Sequence, residues 1–593
     1  MSKYKFNIDN YHAIGHADIE IEGITVIVGS NGCGKSTMSR WLYYIVNTLS
    51  VLDSFFFSDF RDVIIKSLEK YSTALDDISN YLDDDKKRFF DHTLSLMTMV
   101  TLSNGGVEKL DFYYKRAIGS LDDMLVNFLQ KEQNPQQVRR VLNLFGITEQ
   151  NHVHEDIERN SIQLFSEYLQ KYENNKKNRP ISYLKEKIAS VYREKDGFPA
   201  SISFKEDEVE LLVDRLGKIY SLNNAIYIGT PAAISLRQSD RVLMTSLAHK
   251  VVHVNEKGSE ITGKQELLHS INKMIDGSIV EKENFDAVDL VYHSNNGKDI
   301  RIEDIASGFK PLVYMLRLIE NGWLTENTLL EIDEPETNLH PQWVVELAHL
   351  LVRINKTFGT KILITSHNPD MVSAIRYISE KEGLLNTTRF YLAEQSEGTD
   401  SFYYKNLGCD IEPVFESFNK SFDTLQKYVE NYGKFKIGNY QGIKIDCWTA
   451  KDLVGLHHLM KQEGCPNSEN LFSDTDKAIE LDDVQRRISQ KHHADKKSSA
   501  DMLLHVNDKR LLLADAKFRL SNTRNLDSKE IAKKVSESKA MVTSNYSFDN
   551  SFYVLLTKKA ATPSNLNRLR RNVGNNPNYQ FMDAVEFHKL FED

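Results

Sequence analysis

Hydrophobic and polar residues alternate along the first part of the chain and then give way to a continuous apolar run at residues 24–28. This pattern predicts short strands that lead into one buried strand. A glycine-rich turn follows, and beyond it the apolar spacing predicts a helix that includes residues 41–46. From about residue 50 to residue 193 helical periodicity dominates, so we interpret this stretch as a helical insertion.

Strand character returns beyond the insertion. The predicted strands are residues 200–204, 224–228, 287–292, 328–332 and 361–365. Such apolar runs are typical of a parallel sheet that is covered on both faces, and residues 310–319 and 341–354 have the helical spacing to cover it. We therefore predict an α/β core formed by residues 1–49 and 194–405, with the insertion at residues 50–193.

The pattern changes again after residue 405. Residues 406–479 are predicted to form a helical connector, with a helix at residues 415–432. From residue 480 the order helix, hairpin, helix, strand, strand, helix predicts a second, smaller α/β domain at residues 480–593. More than one domain is also expected from the length of 593 residues, since one hydrophobic core stops growing at about 250 to 300 residues.

The composition, 41% hydrophobic and 27% charged, is typical of a folded protein in water. The sequence shows neither a run of about 18 apolar residues nor an apolar segment at its start, so we expect no membrane partner and a cytoplasmic location.

Its four cysteines lack metal-ligand spacing, which predicts free thiols. The net charge is -10, yet residues 480–593 contain 20 Lys and Arg against 15 Asp and Glu, which permits a nucleic-acid face there.

A phosphate-binding motif lies between the first buried strand and the following helix. Residues 29–36 read GSNGCGKS and fit the P-loop pattern G-x-x-x-x-G-K-[ST]. The glycines allow backbone N–H groups to point toward one anion, Lys35 would reach the β and γ phosphates, and Ser36 would ligate Mg²⁺. The residues predicted to bind ATP are Gly29, Asn31, Gly32, Gly34, Lys35, Ser36 and Thr37.

Two carboxylates end the apolar strand predicted at residues 328–332. Asp333 would hold the Mg²⁺ ion, usually through water, because Mg²⁺ keeps much of its hydration shell. Glu334 would orient and polarise the attacking water, which is most of what a protein can do for a loose phosphoryl-transfer transition state. Acidic residues at a strand end are often only solvated, but a P-loop earlier in the chain favours ATP hydrolysis.

The residues around these carboxylates resemble a known family. Residues 332–341 read IDEPETNLHP and resemble the I-D-E-P-E-x-x-L-H-P signature of ABC-type ATPases in the RecF, SMC and OLD (overcoming lysogenisation defect) group. Residues 29–37 are similar to the G-x-N-G-x-G-K-S-T loop of that group. The resemblance covers roughly residues 1–400 outside the insertion, and it implies an ABC-type ATPase core.

The resemblance also implies further parts of the ATP site. Ser307 and Gly308 resemble the signature motif, which caps the γ-phosphate of ATP on an opposite subunit and so implies a head-to-tail homodimer. Residues 337–340 resemble the D-loop, and His367 resembles the switch histidine. His340 replaces the usual aspartate of transporters, which favours an ABC ATPase other than a transporter and leaves the contacts across the dimer open. The Q-loop glutamine and the adenine-stacking aromatic residue stay unassigned.

A second cluster of candidate residues lies near the C-terminus. Residues 502–506 and 511–514 are predicted strands joined by a polar turn at residues 507–509, so they form a hairpin. Asp501 begins one strand and Asp515 ends its partner, and the alternation of a strand places Lys517 on the same side as Asp515. Two carboxylates suit Mg²⁺ or Mn²⁺, which activates water against a phosphodiester, while the lysine positions that water or stabilises negative charge.

This hairpin resembles the core of the PD-(D/E)xK restriction-like nucleases. The resemblance gives Asp501 as the first carboxylate and Asp515-x-Lys517 as the second element, with a helix at 528–542 and a strand at 552–556 in the expected order. An upstream acid is usual, and Glu480, Asp482 and Asp483 are alternatives for it. An inactive or binding-only relative and an unrelated domain stay open, and a toprim domain is disfavoured because no glutamate strand is followed by D-x-D.

The sequence therefore favours an ATP-dependent nuclease in which an ABC ATPase dimer controls cleavage by the C-terminal domain. Resemblance to OLD-like proteins implies a role in bacterial defence against phage, with DNA favoured over RNA as the target. The alternative is an ATP-driven DNA-binding clamp or sensor without its own cleavage, which regulates a separate effector or acts in DNA repair. An oligomer larger than a dimer is left open.

Overall fold

The computed structural model describes residues 2–77, 84–144, 147, 153–229, 247–255, 263–284, 287–396, 398–426, 435–507, 510–520, 526, 528–543 and 546–591. The chain forms two compact units, Met1–Cys409 and Asp410–Asp593. Both contain helices and strands, so the predicted α/β class is confirmed. The finer division into an ATPase core, an insertion and a nuclease-like domain stays a prediction.

The strands of the first unit lie in two sheets. They are β1 (Tyr4–Tyr11), β2 (Ile14–Ile21), β3 (Ile24–Val28), β4 (Ser201–Glu206), β5 (Val209–Glu210), β6 (Asn224–Ile228), β7 (Gly277–Asn284), β8 (Ala287–Ser294), β9 (Asp299–Arg301), β10 (Thr328–Asp333), β11 (Lys361–Ser366), β12 (Thr388–Gln395) and β13 (Phe402–Gly408). Within the described residues the larger sheet has the order β5-β4-β1-β2-β13-β12-β3-β11-β10-β6, and β7, β8 and β9 form the smaller one.

The centre of the larger sheet is parallel and buried. Strands β3, β10 and β11 are buried at every position, which is the burial that their continuous apolar runs predicted. Strand β11 pairs in parallel with both β3 and β10. The carboxyl ends of β3 and β10 therefore meet at one edge of the sheet with one strand between them.

Twelve helices occur in the described part of the first unit. They are α1 (Lys35–Ser50), α2 (Leu52–Asp77), α3 (Asp84–Thr98), α4 (Gly106–Lys131), α5 (Pro135–Leu144), α6 (Val153–Asn178), α7 (Ile181–Tyr192), α8 (Leu247–Val252), α9 (Lys264–Ile275), α10 (Lys310–Glu320), α11 (Pro341–Phe358) and α12 (Pro369–Lys381). Helices α2 to α7 occupy the stretch whose periodicity predicted an insertion. Their buried residues join one hydrophobic core with β1, β2 and α1, so the insertion packs onto the sheet.

The second unit contains one mixed sheet. Its strands are β14 (Leu453–Gly455), β15 (Lys477–Glu480), β16 (Met502–Val506), β17 (Arg510–Lys517), β18 (Ser547–Leu556) and β19 (Tyr579–Asp583), in that order across the sheet. Its helices are α13 (Glu412–Gln426), α14 (Leu456–Gln462), α15 (Leu481–Lys491), α16 (Ser528–Met541), α17 (Pro563–Asn572) and α18 (Ala584–Lys589). Hydrophobic clusters cover both faces. The predicted hairpin is present, since β16 and β17 pair antiparallel.

Residues 406–479 are helical only in part, which corrects the prediction of a helical connector there. Helix α13 is followed by β14 and β15, which pair with each other and extend the sheet to β16. Strands of three and four residues are too short to show a period of two, and only their partners stabilise them. The predicted helix at 415–432 runs into residues 427–434, and the predicted hairpin turn includes 508–509; both stretches lie outside the described residues.

In the part of the chain that the structure describes, no helix is long and apolar enough to cross a membrane. All four cysteines are free thiols, as their scattered positions predicted.

Candidate functional site

The P-loop occupies the turn between β3 and α1. Gly32 and Gly34 have φ angles of 81° and 95°, a region that is open to glycine and costly for other residues. A Cβ atom on Gly34 would also lie 2.7 Å from Cγ1 of Ile14. The glycines therefore allow the turn and its close packing, and they lead directly into the positive N-terminal end of α1.

Lys35 is held inside this turn. Its Nζ donates hydrogen bonds of 2.9 Å to the carbonyl oxygens of Gly29 and Ser30, and the residue is only 4% exposed. The ammonium group thus lies along the loop whose backbone N–H groups are expected to contact a phosphate. A bound phosphate would be contacted from the loop and from this lysine together.

Two predicted magnesium ligands are in direct contact. The hydroxyl of Ser36 donates to Oδ1 of Asp333 at 2.9 Å, and the hydroxyl of Thr365 donates to the same oxygen. Hydroxyl and carboxylate oxygens that converge from a P-loop helix and a neighbouring strand end suit a Mg²⁺ ion that keeps several waters. Ser36 and Asp333 would hold the ion, and its chemistry would be to neutralise the phosphate charge.

The predicted catalytic glutamate and switch histidine also meet. Nδ1 of His367 lies 3.2 Å from Oε1 of Glu334. Glu334 has a φ angle of 48°, an uncommon conformation for a residue other than glycine, and its N–H donates to the carbonyl oxygen of Thr365 at 3.0 Å. This conformation places the carboxylate in the cavity described below.

Glu336 also contacts this histidine. Its Oε1 accepts hydrogen bonds from Ser366 Oγ at 2.6 Å and from the backbone N–H of His367 at 3.1 Å. The same oxygen lies 3.9 Å from Nδ1 of His367. Burial raises the pKa of the Glu336 carboxyl, while the hydrogen bond from Ser366 opposes that rise. Sequence reasoning missed this role because it depends on the fold of β11 beside β10.

Glu331 is a second missed residue, and it lies inside the buried strand β10. It is completely buried, and Oε2 accepts a hydrogen bond of 2.8 Å from Ser39 of α1. Burial raises the pKa of its carboxyl well above the usual value, and the hydrogen bond from Ser39 opposes that rise. The signal was present in the sequence, since an acidic residue interrupts an otherwise apolar run.

A cavity of about 540 Å³ opens beside the P-loop. Among the predicted residues it is lined by Asn31, Gly32, Gly34, Lys35, Ser36, Thr37 and Glu334. Aromatic side chains line it as well: Tyr11 at the end of β1, His12 in the turn that follows, and Trp41 and Tyr44 of α1. Which of them would stack on adenine stays unassigned. Glu194 and Asp196, which follow the helical insertion, also line the cavity. The volume is in the range of small-molecule sites.

The predicted signature residues lie elsewhere. Ser307 begins a short 3-10 turn that leads into α10, and it is exposed. Gly308 packs so closely against the predicted D-loop that an added Cβ would be 2.5 Å from the carbonyl oxygen of Asn338. Neither Ser307 nor Gly308 is among the described residues that line the cavity.

A P-loop, a facing aspartate and glutamate, and one strand between them define the chain as a P-loop ATPase. It belongs to the AAA ATPase domain family, whose profile matches residues 1–372. The ATPase activity that the motifs predicted follows from this membership, and ATP is therefore its ligand. A comparison with curated proteins gives no match.

Solved structures with some similarity include two SMC head domains and an ABC transporter component. The Smc head domain of Pyrococcus furiosus, solved with the C-terminal domain of ScpA, is 9% identical, with 72% of this chain and 99% of that chain covered and a TM-score of 0.26. The Smc head domain of Pyrococcus yayanosii is 11% identical, with 71% of this chain and 100% of that chain covered and a TM-score of 0.27. The protein cbiO1 of Clostridium perfringens is 14% identical, with 41% of this chain and 79% of that chain covered and a TM-score of 0.21. The ATPase assignment rests on the family match and the site, not on these low-scoring similarities.

In the second unit the three predicted nuclease residues converge at the end of the hairpin. Nζ of Lys517 lies 2.9 Å from Oδ2 of Asp515 and 3.9 Å from Oδ2 of Asp501. The N–H of Ala516 donates to Oδ2 of Asp501 at 2.7 Å, which ties the two strand ends together. The alternation of residues along β17 thus brings the predicted groups together as expected.

Lys534 of α16 is a fourth member that the sequence did not reveal. Its Nζ lies 2.9 Å from Oδ1 and 3.1 Å from Oδ2 of Asp515. Burial and the nearby Asp515 raise the pKa of Asp501 to about 7. Burial alone would lower the pKa of Lys517, but Asp515 and Asp501 raise it above its usual value. The pKa values of Asp501 and Lys517 therefore depend on the charges around them.

The alternatives for an upstream acid have different surroundings. Asp482 forms an ion pair of 2.6 Å with Lys496, and Asp483 forms one of 2.8 Å with Arg486. The pKa of Glu480 is raised by burial and by the neighbouring Asp483. Among the described residues no cluster of three or more His, Cys, Asp or Glu is placed to hold a metal ion. A cation at the hairpin would have two carboxylates and take its other ligands from water or a phosphate.

Proposed function

We propose that the protein is an ATP-controlled nuclease, in which the N-terminal ATPase governs phosphodiester cleavage by the C-terminal unit. The observation that carries the proposal is the convergence of Asp501, Asp515 and Lys517 at two strand ends, in a chain that also holds a complete P-loop site. A carboxyl group whose pKa is raised by burial and by a neighbouring charge, as for Asp501, is typical of functional sites. Acidic residues at strand ends are often only solvated, but Asp515 is 1% exposed, which does not agree with a solvated turn.

ATP hydrolysis in this proposal uses the residues of the first unit. Lys35 contacts the β and γ phosphates, while Ser36 and Asp333 hold Mg²⁺. Glu334 accepts a hydrogen bond from the attacking water, and His367 keeps that carboxylate oriented and contacts the γ-phosphate. Attack on phosphorus breaks the bond to the bridging oxygen, and ADP and phosphate leave.

A head-to-tail homodimer completes the ATP site. Ser307 is exposed at the start of a helical turn and lies outside the cavity of its own chain. Its hydroxyl and the adjacent N–H groups are suitable donors to the γ-phosphate on a second copy. ATP then joins the two copies, and hydrolysis releases them.

The cleavage step uses the second unit. Asp501 and Asp515 would hold Mg²⁺ or Mn²⁺, whose chemistry is to lower the pKa of a bound water. Lys517 holds that water or neutralises the charge that develops on the phosphate. The water oxygen bonds to phosphorus, the phosphorus–oxygen bond to the leaving sugar breaks, and the leaving oxygen takes a proton. DNA is the favoured target, and defence against phage is the role that the resemblance to OLD-like proteins supports.

Plasmid cleavage tests the proposal directly. Supercoiled plasmid is incubated with the full chain, Mg²⁺ or Mn²⁺, and ATP, beside Lys517→Ala, Lys35→Ala and the exposed control Lys533→Ala. We expect Lys517→Ala to lose cleavage and keep ATP hydrolysis, and Lys533→Ala to keep both. Lys35→Ala should lose ATP hydrolysis and the ATP dependence of cleavage. Equal nicking by the wild type and Lys517→Ala would place the activity elsewhere.

The second candidate is an ATP-driven DNA-binding clamp or sensor that does not cut. It is favoured by the small number of carboxylates at the hairpin and by the two lysines that already neutralise Asp515. In that case no nicking occurs in any cation, while ATP still changes the affinity for a labelled DNA duplex. The same affinity measurement with single-stranded RNA shows whether DNA or RNA is the preferred ligand.

A further inference from the structure

Lys534 and Lys517 hold the same buried carboxylate from two different elements. Lys534 reaches Asp515 from α16, and Lys517 reaches it along β17. The side chain of Asp515 is 2% exposed and that of Lys534 is 14% exposed, so this contact is shielded from solvent. Shielded ion pairs are screened much less by water and salt than surface pairs.

The helix that presents Lys534 is fixed next to the site. Ser538 lies one turn further along α16 and is completely buried. Its Oγ accepts a hydrogen bond of 2.7 Å from the N–H of Ala500, the residue before Asp501. Ile531, on the same side of the helix, packs in the hydrophobic cluster beneath the hairpin. The position of Lys534 is therefore set by its helix, and its ammonium is directed at Asp515.

The ammonium occupies the place of a cation. Its Nζ lies 2.9 and 3.1 Å from the two oxygens of Asp515, whereas a Mg²⁺ ion binds carboxylate oxygens at about 2.0 to 2.1 Å. An ion at that distance from Oδ1 would be close to Nζ, and the repulsion between them would be strong in a shielded site. The ammonium and the ion therefore exclude each other.

We infer that Lys534 is a positioning residue that occupies the divalent-cation position of the hairpin site and leaves it when the cation binds. This inference rests on the proposed nuclease function. With Lys534 in place and both carboxyl groups ionised, two carboxylates face two ammonium groups and their charges cancel. Exchange of the lysine for a divalent cation leaves a net charge of one positive unit, which favours the approach of a phosphodiester. The lysine thus keeps the carboxylates paired while the cation is absent.

Manganese binding to the full chain tests the exchange without reference to cleavage. Free Mn²⁺ is measured by electron paramagnetic resonance in the absence of nucleotide, for the wild type, Lys534→Met, Lys534→Gln, Lys533→Met and Asp515→Asn. We expect both Lys534 variants to bind Mn²⁺ about tenfold more tightly than the wild type, a change of about one unit in log Kd. Lys533, exposed and adjacent on α16, is the matched control, and its variant should bind as the wild type does.

The outcomes separate the inference from the function on which it rests. A loss of structure would weaken binding, so a gain in affinity cannot come from misfolding. If the Lys534 variants bind Mn²⁺ no more tightly than Lys533→Met, the proposed exchange of lysine for cation is wrong, while the metal site itself is unaffected. If Asp515→Asn binds Mn²⁺ as tightly as the wild type, the hairpin holds no metal site, and the nuclease proposal and this inference then fail together.

Discussion

Nδ1 of His367 lies 3.2 Å from Oε1 of Glu334 and 3.9 Å from Oε1 of Glu336. Both carboxyl groups therefore lie near the same imidazole nitrogen. Glu336 also accepts from the backbone N–H of His367, so it contacts the chain that carries the ring. We propose that the histidine orients Glu334 for water activation and that Glu336 holds the histidine in place.

The first prediction concerns this pair. His367→Ala should lower kcat for ATP hydrolysis by about a hundredfold, the typical loss on removal of one oriented polar group. Its KM for ATP should change less than its kcat, because the P-loop and Lys35 still contact the phosphates. Glu336→Gln keeps an acceptor for Ser366 and should lose less activity than Glu336→Ala. Steady-state kinetics check both, and an unchanged kcat in His367→Ala would remove the histidine from the reaction.

The second prediction is a pH dependence of metal binding by the second unit. Burial and Asp515 raise the pKa of Asp501 to about 7, so below that pH its carboxyl is largely neutral. A divalent cation binds the ionised form, and its affinity should therefore increase as the pH rises through 7 and level off above. Mn²⁺ titrations at pH 6, 7 and 8 measure this. Asp501→Asn should bind weakly with no such rise, and a wild-type affinity that is flat over this range contradicts the assignment.

The third prediction concerns Lys250, whose Nζ is buried and donates to the carbonyl oxygen of Ala225 at 2.6 Å. Burial lowers the pKa of this lysine to about 7. In the unfolded chain its pKa is about 10.4, so folding releases a proton between these values and stability rises with pH in that window. Below pH 7 the folded state must accept the charged form and is least stable.

Lys250→Met lacks this proton release, so its stability should rise less between pH 7 and pH 9.5 than that of the wild type. We expect the variant's advantage in free energy of unfolding at pH 7 to exceed its advantage at pH 9.5 by about 3 kcal/mol, on the basis that one pKa unit corresponds to about 1.4 kcal/mol. Urea unfolding followed by tryptophan fluorescence measures the difference. The exposed Lys298→Met serves as the control, and parallel pH profiles in Lys250→Met and the wild type would refute the buried neutral lysine.

The parts of the molecule that the sequence predicted are those with local signals. The P-loop and the strand ending at Asp333 are contiguous motifs, and apolar runs identified the buried strands β3, β10 and β11. The hairpin that carries Asp501 and Asp515 is also local, because a short turn joins its strands. In each case neighbours in sequence are neighbours in space.

The missed residues depend on long-range packing. Lys534 is one of two adjacent lysines on a helix, and only the packing of α16 directs one of them at Asp515. Tyr11 and His12 reach the cavity because the β1–β2 turn lies beside the P-loop. Strand β14 was missed because three residues show no period, and its pairing with β15 alone defines it.

The central claim is that Glu334 activates water for ATP hydrolysis while Lys35 and its loop bind the nucleotide. The most direct measurement compares ATP binding and ATP turnover in Glu334→Gln, with Lys35→Ala as the control for lost binding. We predict that Glu334→Gln binds ATP with the affinity of the wild type and hydrolyses it at least about a hundredfold more slowly. Turnover in Glu334→Gln at the wild-type rate would contradict the account.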